Sequence, residues 1–113
     1  MQIYVKEEVR LNIVLLIGRL THNVELKEVG NGFSKATILL SVQREFKNSN
    51  GEYDTDLIQI TLWEGIALSC KEFCKKDSLV SIRCRVQANK FESEDGKTYH
   101  NIELIGEKVL KIG

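Results

Sequence analysis

Proline is absent from this chain, and so are low-complexity tracts and internal repeats. Nothing in the 113 residues marks a linker or a second domain, and the length suits one. No apolar run approaches the ~20 residues of a membrane helix. The opening "MQIYVKEEVR" mixes acid and base and has no secretory apolar region. A cytoplasmic protein is expected. Three cysteines are too odd a set for a closed disulfide framework. No charge of either sign dominates: Lys plus Arg number 16 and Asp plus Glu 16. That balance counts against strong nonspecific binding to duplex nucleic acid, which draws on excess cations. It leaves single strands open as partners, because stacking carries much of that affinity. Gly-rich phosphate loops, nucleophile elbows and paired catalytic carboxylates are all missing. No enzyme is expected, and no cofactor.

What is present is strand pattern. Hydrophobic residues make up 42% and charged residues 28%, enough for a core and a solvated surface. Residues 1–10 read as an N-terminal extension and 11–113 as the domain. "LNIVLLIGRLTHNVEL", Leu11 to Leu26, begins with a continuous apolar run, the signature of a strand buried on both faces. "VGNGF" is a turn. From Ala36 to Phe46, Ile38, Leu40 and Val42 alternate with mostly polar residues. "NSNGEYD" is a hairpin loop with Asn50-Gly51 as its turn. In "DLIQITLW", Ile58, Ile60 and Leu62 share one face, and Leu57, Gln59, Thr61 and Trp63 the other. A helix is predicted from Gly65 to Lys76, with Ile66, Cys70, Phe73 and Cys74 on one side and Lys75 and Lys76 suiting the end of its dipole. "SLVSIRCRVQANKFE" is a long strand with Val80, Ile82, Cys84, Val86 and Ala88 inside and Ser81, Arg83, Arg85, Gln87, Asn89 and Phe91 outside. "SEDGKT" turns the chain, and "YHNIELIGEKVLKI" closes the sheet. Three strands, a helix, then two strands is the order of an all-β, five-stranded OB-fold barrel with one helix between strands 3 and 4.

The aromatic residues sit oddly for a core. Phe46 ends its strand beside Arg44 and Lys47, at the mouth of a loop. Trp63 lies on the row opposite the apolar one, and Phe91 shares a row with Arg83 and Arg85. Rings interleaved with cations suit single-stranded nucleic acid, since every base offers a face to stack. Rings at such places also pack in subunit interfaces, and the pattern alone leaves both readings open. Cys70 and Cys74, four apart, with His22 and His100 elsewhere, lack the local spacing of a zinc site and read as buried thiols. Asp54, Asp56, Glu64 and Asp95 are scattered as solvated acids are.

"NIVLLIGRLTHNVEL" resembles the opening of bacterial single-stranded DNA-binding proteins, and "WEGIALSCKEFCKKDSLVSIRCRV" resembles their helix and following strand. The loops "NSNGEY" and "ESEDGKTYHNIEL" fall where that family has its long hairpins. The resemblance covers Leu11 to Ile112. It implies binding of single-stranded DNA with little sequence preference, in replication, recombination or repair, by a cytoplasmic, nucleoid-associated protein. The family's stacking positions fall on Phe46, Leu57, Trp63 and Phe91, with Leu57 the departure from an aromatic. Its basic positions fall on Arg19, Arg44, Arg85 and Lys90, to which Lys47 and Arg83 are added from their neighbourhood. Gln87, Asn89 and the pair Glu64-Gly65 stand where members are often basic, which implies weaker phosphate contact. Val24 replaces a proline of the family, and His100 an aromatic. The family forms homotetramers from dimers that pair through the first strand; the run Ile13 to Ile17 is the candidate edge, and a tetramer is favoured over a dimer. Members continue into a flexible segment whose acidic tip recruits replication and repair proteins, and these residues hold no counterpart of it. The alternative is a module like primosomal replication protein N, with weaker strand binding and mainly protein contacts.

Overall fold

The computed structural model describes residues 9–113. The expected extension, 1–10, lies outside them apart from its last two residues, Val9 and Arg10, which are exposed and in no regular element. The elements are β1 (Val14–Leu20), β2 (Lys27–Val29), β3 (Phe33–Lys47), β4 (Tyr53–Trp63), α1 (Glu64–Phe73), β5 (Leu79–Glu92) and β6 (Thr98–Lys111). One sheet runs in the order β1-β5-β6-β4-β3-β2, and β1 pairs again with β3 through Arg19 with Ser41 and Leu20 with Leu40. That second pairing closes five strands into a barrel. The order of strands and the single helix are those of an OB-fold. The sixth strand, β2, is a three-residue flap against Phe33–Lys35, too short to show alternation in sequence. The helix therefore falls between β4 and β5, the third and fourth of the long strands.

Alternation decides what is inside. Ile38 and Leu40 of β3, Ile60 and Leu62 of β4, and Val80, Ile82 and Cys84 of β5 are almost wholly buried. Gly106 belongs to the same interior: a Cβ there would lie 2.4 Å from Leu62 Cδ2, so β6 runs close to β4 only because the side chain is missing. Gly18 does the same for the seam between β1 and β3, where a Cβ would stand 2.3 Å from the Ser41 carbonyl oxygen. The inner row of β5 leaves the barrel at its far end, so Val86 is half-buried and Ala88 exposed.

Three expectations need correction. The first strand is not buried on both faces: Leu16, Gly18 and Leu20 face inward, while Leu15 is 69% and Ile17 58% exposed. A barrel has only one interior, so a second apolar row on one strand is left outside. The helix stops at Phe73, not Lys76, and Cys74 is already extended. Lys75 and Lys76 lie in a turn, where the Lys75 amide donates to Ser78 Oγ and the Lys76 amide to Asn23 Oδ1. Ala67 and Cys70 form the buried face of the helix, Cys74 is buried just beyond its end, and Phe73 is 63% exposed.

Two long hairpins leave the barrel. The β3–β4 turn is held by Asn48, whose Oδ1 accepts the amides of Asn50 and Glu52. Gly51 takes a φ of 77° there, as the Asn-Gly signal requires. The β5–β6 turn is held by Ser93 and Asp95, with the Lys97 amide donating to Asp95 Oδ1. Before β1, the Asn12 side chain bonds both backbone groups of Val86, two positions beyond the last ladder pair of Val14 with Cys84.

Candidate nucleic-acid interface

Outside the barrel, the rows that alternation turns away from the core meet on β3, β4, β5 and β6. Ladder partners bring Lys35 opposite Trp63, Thr37 opposite Thr61 and Ser41 opposite Leu57. On the other ribbon they bring Gln87 opposite Glu103, Asn89 opposite Asn101 and Phe91 opposite Tyr99. The parallel pairing of β4 with β6 joins the two ribbons through Thr61 and Ile105. Between them lies a polar cleft of about 340 Å³, floored by Thr61, Asn89 and Glu103 and walled by Lys35, Gln59 and Asn101.

Each aromatic has a defined support. Trp63 is half-buried at the last position of β4 and carries Lys35 Nζ 5.3 Å from its ring centre, a cation–π distance. The strand-to-helix junction beneath it is fixed by Glu64, which takes a positive φ of 50° and accepts the Ser34 amide at Oε1, 2.8 Å away. Phe91, 51% exposed, stacks on Tyr99 with ring centres 5.4 Å apart and planes 20° from parallel. Phe46 is 81% exposed and, among the described residues, rests on no other ring; it lies on the stretch where the β3–β4 ladder breaks register between Gln43 and Lys47. Lys47 Nζ sits 5.7 Å from the ring centre of Tyr53.

The cations are less uniform than the sequence suggested. Arg85 Nη1 donates to Gln87 Oε1, Gln87 Nε2 to Asn89 Oδ1, and Asn89 Nδ2 to Glu103 Oε2, at 2.8, 3.2 and 2.9 Å. This relay leads from the arginine to a carboxylate in the cleft. The bond from Asn89, another from the Thr61 hydroxyl, and the charges of Lys35 and Arg85 hold the Glu103 carboxyl below its usual range despite partial burial. Arg44 is held as a fork by Asp56, with Nε to Oδ2 at 3.0 Å and Nη2 to Oδ1 at 2.9 Å, and Asp54 stands 3.8 Å from Nη1. That bond keeps the Asp56 carboxyl below its ordinary range and the guanidinium above its own. Arg19 donates from Nη1 to the Asp77 carbonyl and lines a separate hollow of about 430 Å³ with Gln43 and Thr55. Arg83 lies between Leu15 of β1 and Lys108 of β6 and does not line the cleft. Lys90 pairs with His100 and, one residue from Phe91, points from the other face of that ribbon.

Trp63, Phe91 and Arg85 do not line the cleft but lie next to residues that do: Trp63 beside Lys35, Arg85 at the head of the relay to Glu103, and Phe91 two residues beyond Asn89. Phe46, Arg44 and Lys47 are on the neighbouring hairpin. A scan of the sequence for rings beside cations missed Tyr99, Tyr53, Lys35 and Glu103. Counting outward from "SEDGKT" pairs Phe91 with His100. The turn is one residue shorter, so Glu92 meets Thr98 and Phe91 meets Tyr99, and the loop boundary read from sequence hid that partner.

The model of the single-strand binding protein family matches residues 11–112. The chain belongs to that family. Similar members include single-stranded DNA-binding protein 3 of Listeria innocua, 40% identical over 99 residues that make up 88% of this chain and 62% of that protein. Single-stranded DNA-binding protein B of Bacillus subtilis is 36% identical over 87% of both chains. The single-stranded DNA-binding protein of Oceanobacillus iheyensis is 35% identical over 88% of this chain and 62% of its own. The chain thus spans about three-fifths of the length of two of these family members and most of the third. Among the described residues no helix is long and apolar enough to cross a membrane, and no three His, Cys, Asp or Glu side chains are placed to hold a metal ion.

Proposed function

We propose that this chain binds single-stranded DNA with little sequence preference, by stacking bases on Phe46, Trp63 and Phe91 while Arg19, Arg44, Lys47, Arg83, Arg85 and Lys90 meet phosphates. The observation that carries this reading is the cleft between the two hairpins, with Trp63 at one side and the Phe91–Tyr99 pair on the same outer face of the other ribbon. Stacked rings widen the platform, and Trp63 comes with its own cation. Duplex DNA, whose bases already stack on one another, is a poor ligand for such a surface. Stacking contributes roughly 1–3 kcal/mol per base. Trp63→Ala and Phe91→Ala are each expected to weaken oligo-dT binding about tenfold. The test is a fluorescence titration of Trp63 with oligo-dT and with duplex. No quenching by oligo-dT, together with Phe91→Ala binding like wild type, would rule the platform out.

The second part of the proposal is self-association, as a homotetramer in preference to a dimer. Leu11, Ile13, Leu15 and Ile17 form an exposed apolar row on alternate residues. Leu15 and Ile17 lie on the strand at the end of the sheet order, with Leu11 and Ile13 just before it; that strand is laddered to β5 along Val14–Arg19 and to β3 only at Arg19 and Leu20. A row of that kind is shielded from water most simply by the same row of another copy. Light scattering at micromolar concentration is expected to give a multiple of the 12.9 kDa chain mass, and a monomer mass would refute it. In this reading the protein acts on exposed strands during replication, recombination or repair, in the cytoplasm and at the nucleoid.

A further inference from the structure

The cleft between the two aromatic platforms has an acidic floor, which a surface built only to hold phosphates would not have. Glu103 is the carboxylate there, and Thr61, 3% exposed, holds it from below. A phosphate placed against Glu103 would meet like charge. A strand crossing this cleft therefore keeps its backbone at the rim, near Lys35 and Arg85, and turns a base edge inward. A carboxylate has room for about four hydrogen bonds. Asn89 and Thr61 take two, so acceptor capacity remains toward the cleft. Among the described residues the side chains of Gln59 and Asn101, which also line the cleft, have no hydrogen-bond partner. Each of those amides both donates and accepts, so it tolerates any base edge. Glu103, ionised, only accepts.

Resting on the reading of this face as the strand-binding surface, we propose that Glu103 is a specificity-determining residue: it accepts a hydrogen bond from the exocyclic amino group of cytosine or adenine and disfavours thymine at the base position over the cleft. Thymine carries a carbonyl oxygen where cytosine carries its amine, and would set one acceptor against another. The relay Arg85–Gln87–Asn89 fixes the carboxylate in place, so the discrimination comes from a positioned group. The remaining bases lie on rings and are not read, which keeps the overall preference small.

The test compares labelled oligo-dC with oligo-dT of equal length, by fluorescence anisotropy, for wild type and Glu103→Gln. Two pyrimidines keep ring size and self-stacking similar. In Glu103→Gln the affinity for dC relative to dT is expected to fall by about threefold or more, because the amide offers thymine a donor and loses the charge that favours an amine. Glu103→Asp, which keeps the charge but withdraws it from the cleft, is expected to move the ratio the same way by less. Equal weakening on both oligomers would mean a structural role only, and an unchanged ratio would mean that the base edge is not read; either overturns the proposal. If wild type binds both oligomers and only the ratio fails to move, the proposed function stands and this inference alone is lost. If wild type binds neither, both fall.

Discussion

Asp56→Asn is expected to tighten binding to single strands and to make it more sensitive to salt. Arg44 stands by the hairpin that carries Phe46, yet its guanidinium is committed to Asp56 through a two-point fork, with Asp54 3.8 Å away on the other side. A phosphate reaching Arg44 must displace a carboxylate that matches the fork as well as it does. Replacing Asp56 by Asn removes one negative charge from the hairpin and leaves a neutral amide that competes poorly. The gain is read in the salt dependence. One more phosphate contact on a single strand steepens the slope of log K against log salt by about 0.7. Over a fourfold rise in salt, from about 50 to 200 mM, that adds a further loss of roughly 2.6-fold for the variant relative to wild type. At the low end of the range the variant therefore binds more tightly, and the two curves converge at high salt. Both groups are exposed, so the melting temperature should barely change. The assay is the oligo-dT titration at three or more salt concentrations. An unchanged slope would show that Arg44 meets no phosphate, and weaker binding at low salt would show that the fork is needed to hold the hairpin in shape.

Tyr99→Ala is expected to weaken oligo-dT binding by less than Phe91→Ala, because Tyr99 acts through its stack under Phe91; equal losses would make Tyr99 a direct platform. Gly18→Ala should destabilise the fold by roughly 1–3 kcal/mol, since its Cβ meets the backbone oxygen of Ser41 and neither strand can yield cheaply. Gly65→Ala, in open space within the helix, should be neutral or stabilising by up to about 1 kcal/mol in the same melts. Burial first, then the neighbouring Cys74, pushes the Cys70 thiol up to about 12, and burial with Glu107 pushes Cys84 up to about 11. Folded-state values above the unfolded one favour the protonated thiol, so this contribution is complete below the ordinary value of 9.0 and is lost as pH rises through the folded values. Melting temperature should hold up to about pH 9 and then drop, and Cys84→Ser should soften the drop; a flat profile to pH 10.5 would count against it.

Much of the fold was legible because a half-buried strand writes its inner face into every second residue. Ile38, Leu40, Ile60, Leu62, Val80, Ile82 and Cys84 were read that way and are the core. Where a row was apolar on both sides, as from Ile13 to Ile17, the sequence could not say that one side faces away from the barrel. Phe73 misled for a related reason, since a ten-residue helix offers few turns from which to find its buried stripe. In the binding face, the rings were visible as residues out of place. The fork on Arg44 and the carboxylate in the cleft were not, because both depend on register. Asp56 lies opposite Val42 and Glu103 opposite Gln87. Such neighbours exist only once the hairpins are closed.

The barrel is closed by two brief seams, Arg19–Ser41 with Leu20–Leu40, and Ile60–Leu104 with Thr61–Ile105. The β3–β4 and β5–β6 ladders, by contrast, run nearly the length of their strands. Mechanically the molecule is two stiff ribbons joined by a clasp, and the clasp at Thr61 lies beneath the cleft. Amide hydrogens at the seams should exchange earlier than those in the middle of either ribbon, because opening a seam breaks few bonds and leaves each ribbon whole. A strand lying from Trp63 to Phe91 would tie one ribbon to the other across that clasp. Its effect should then be seen beneath the cleft, as slower exchange at the seam residues Leu104 and Ile105.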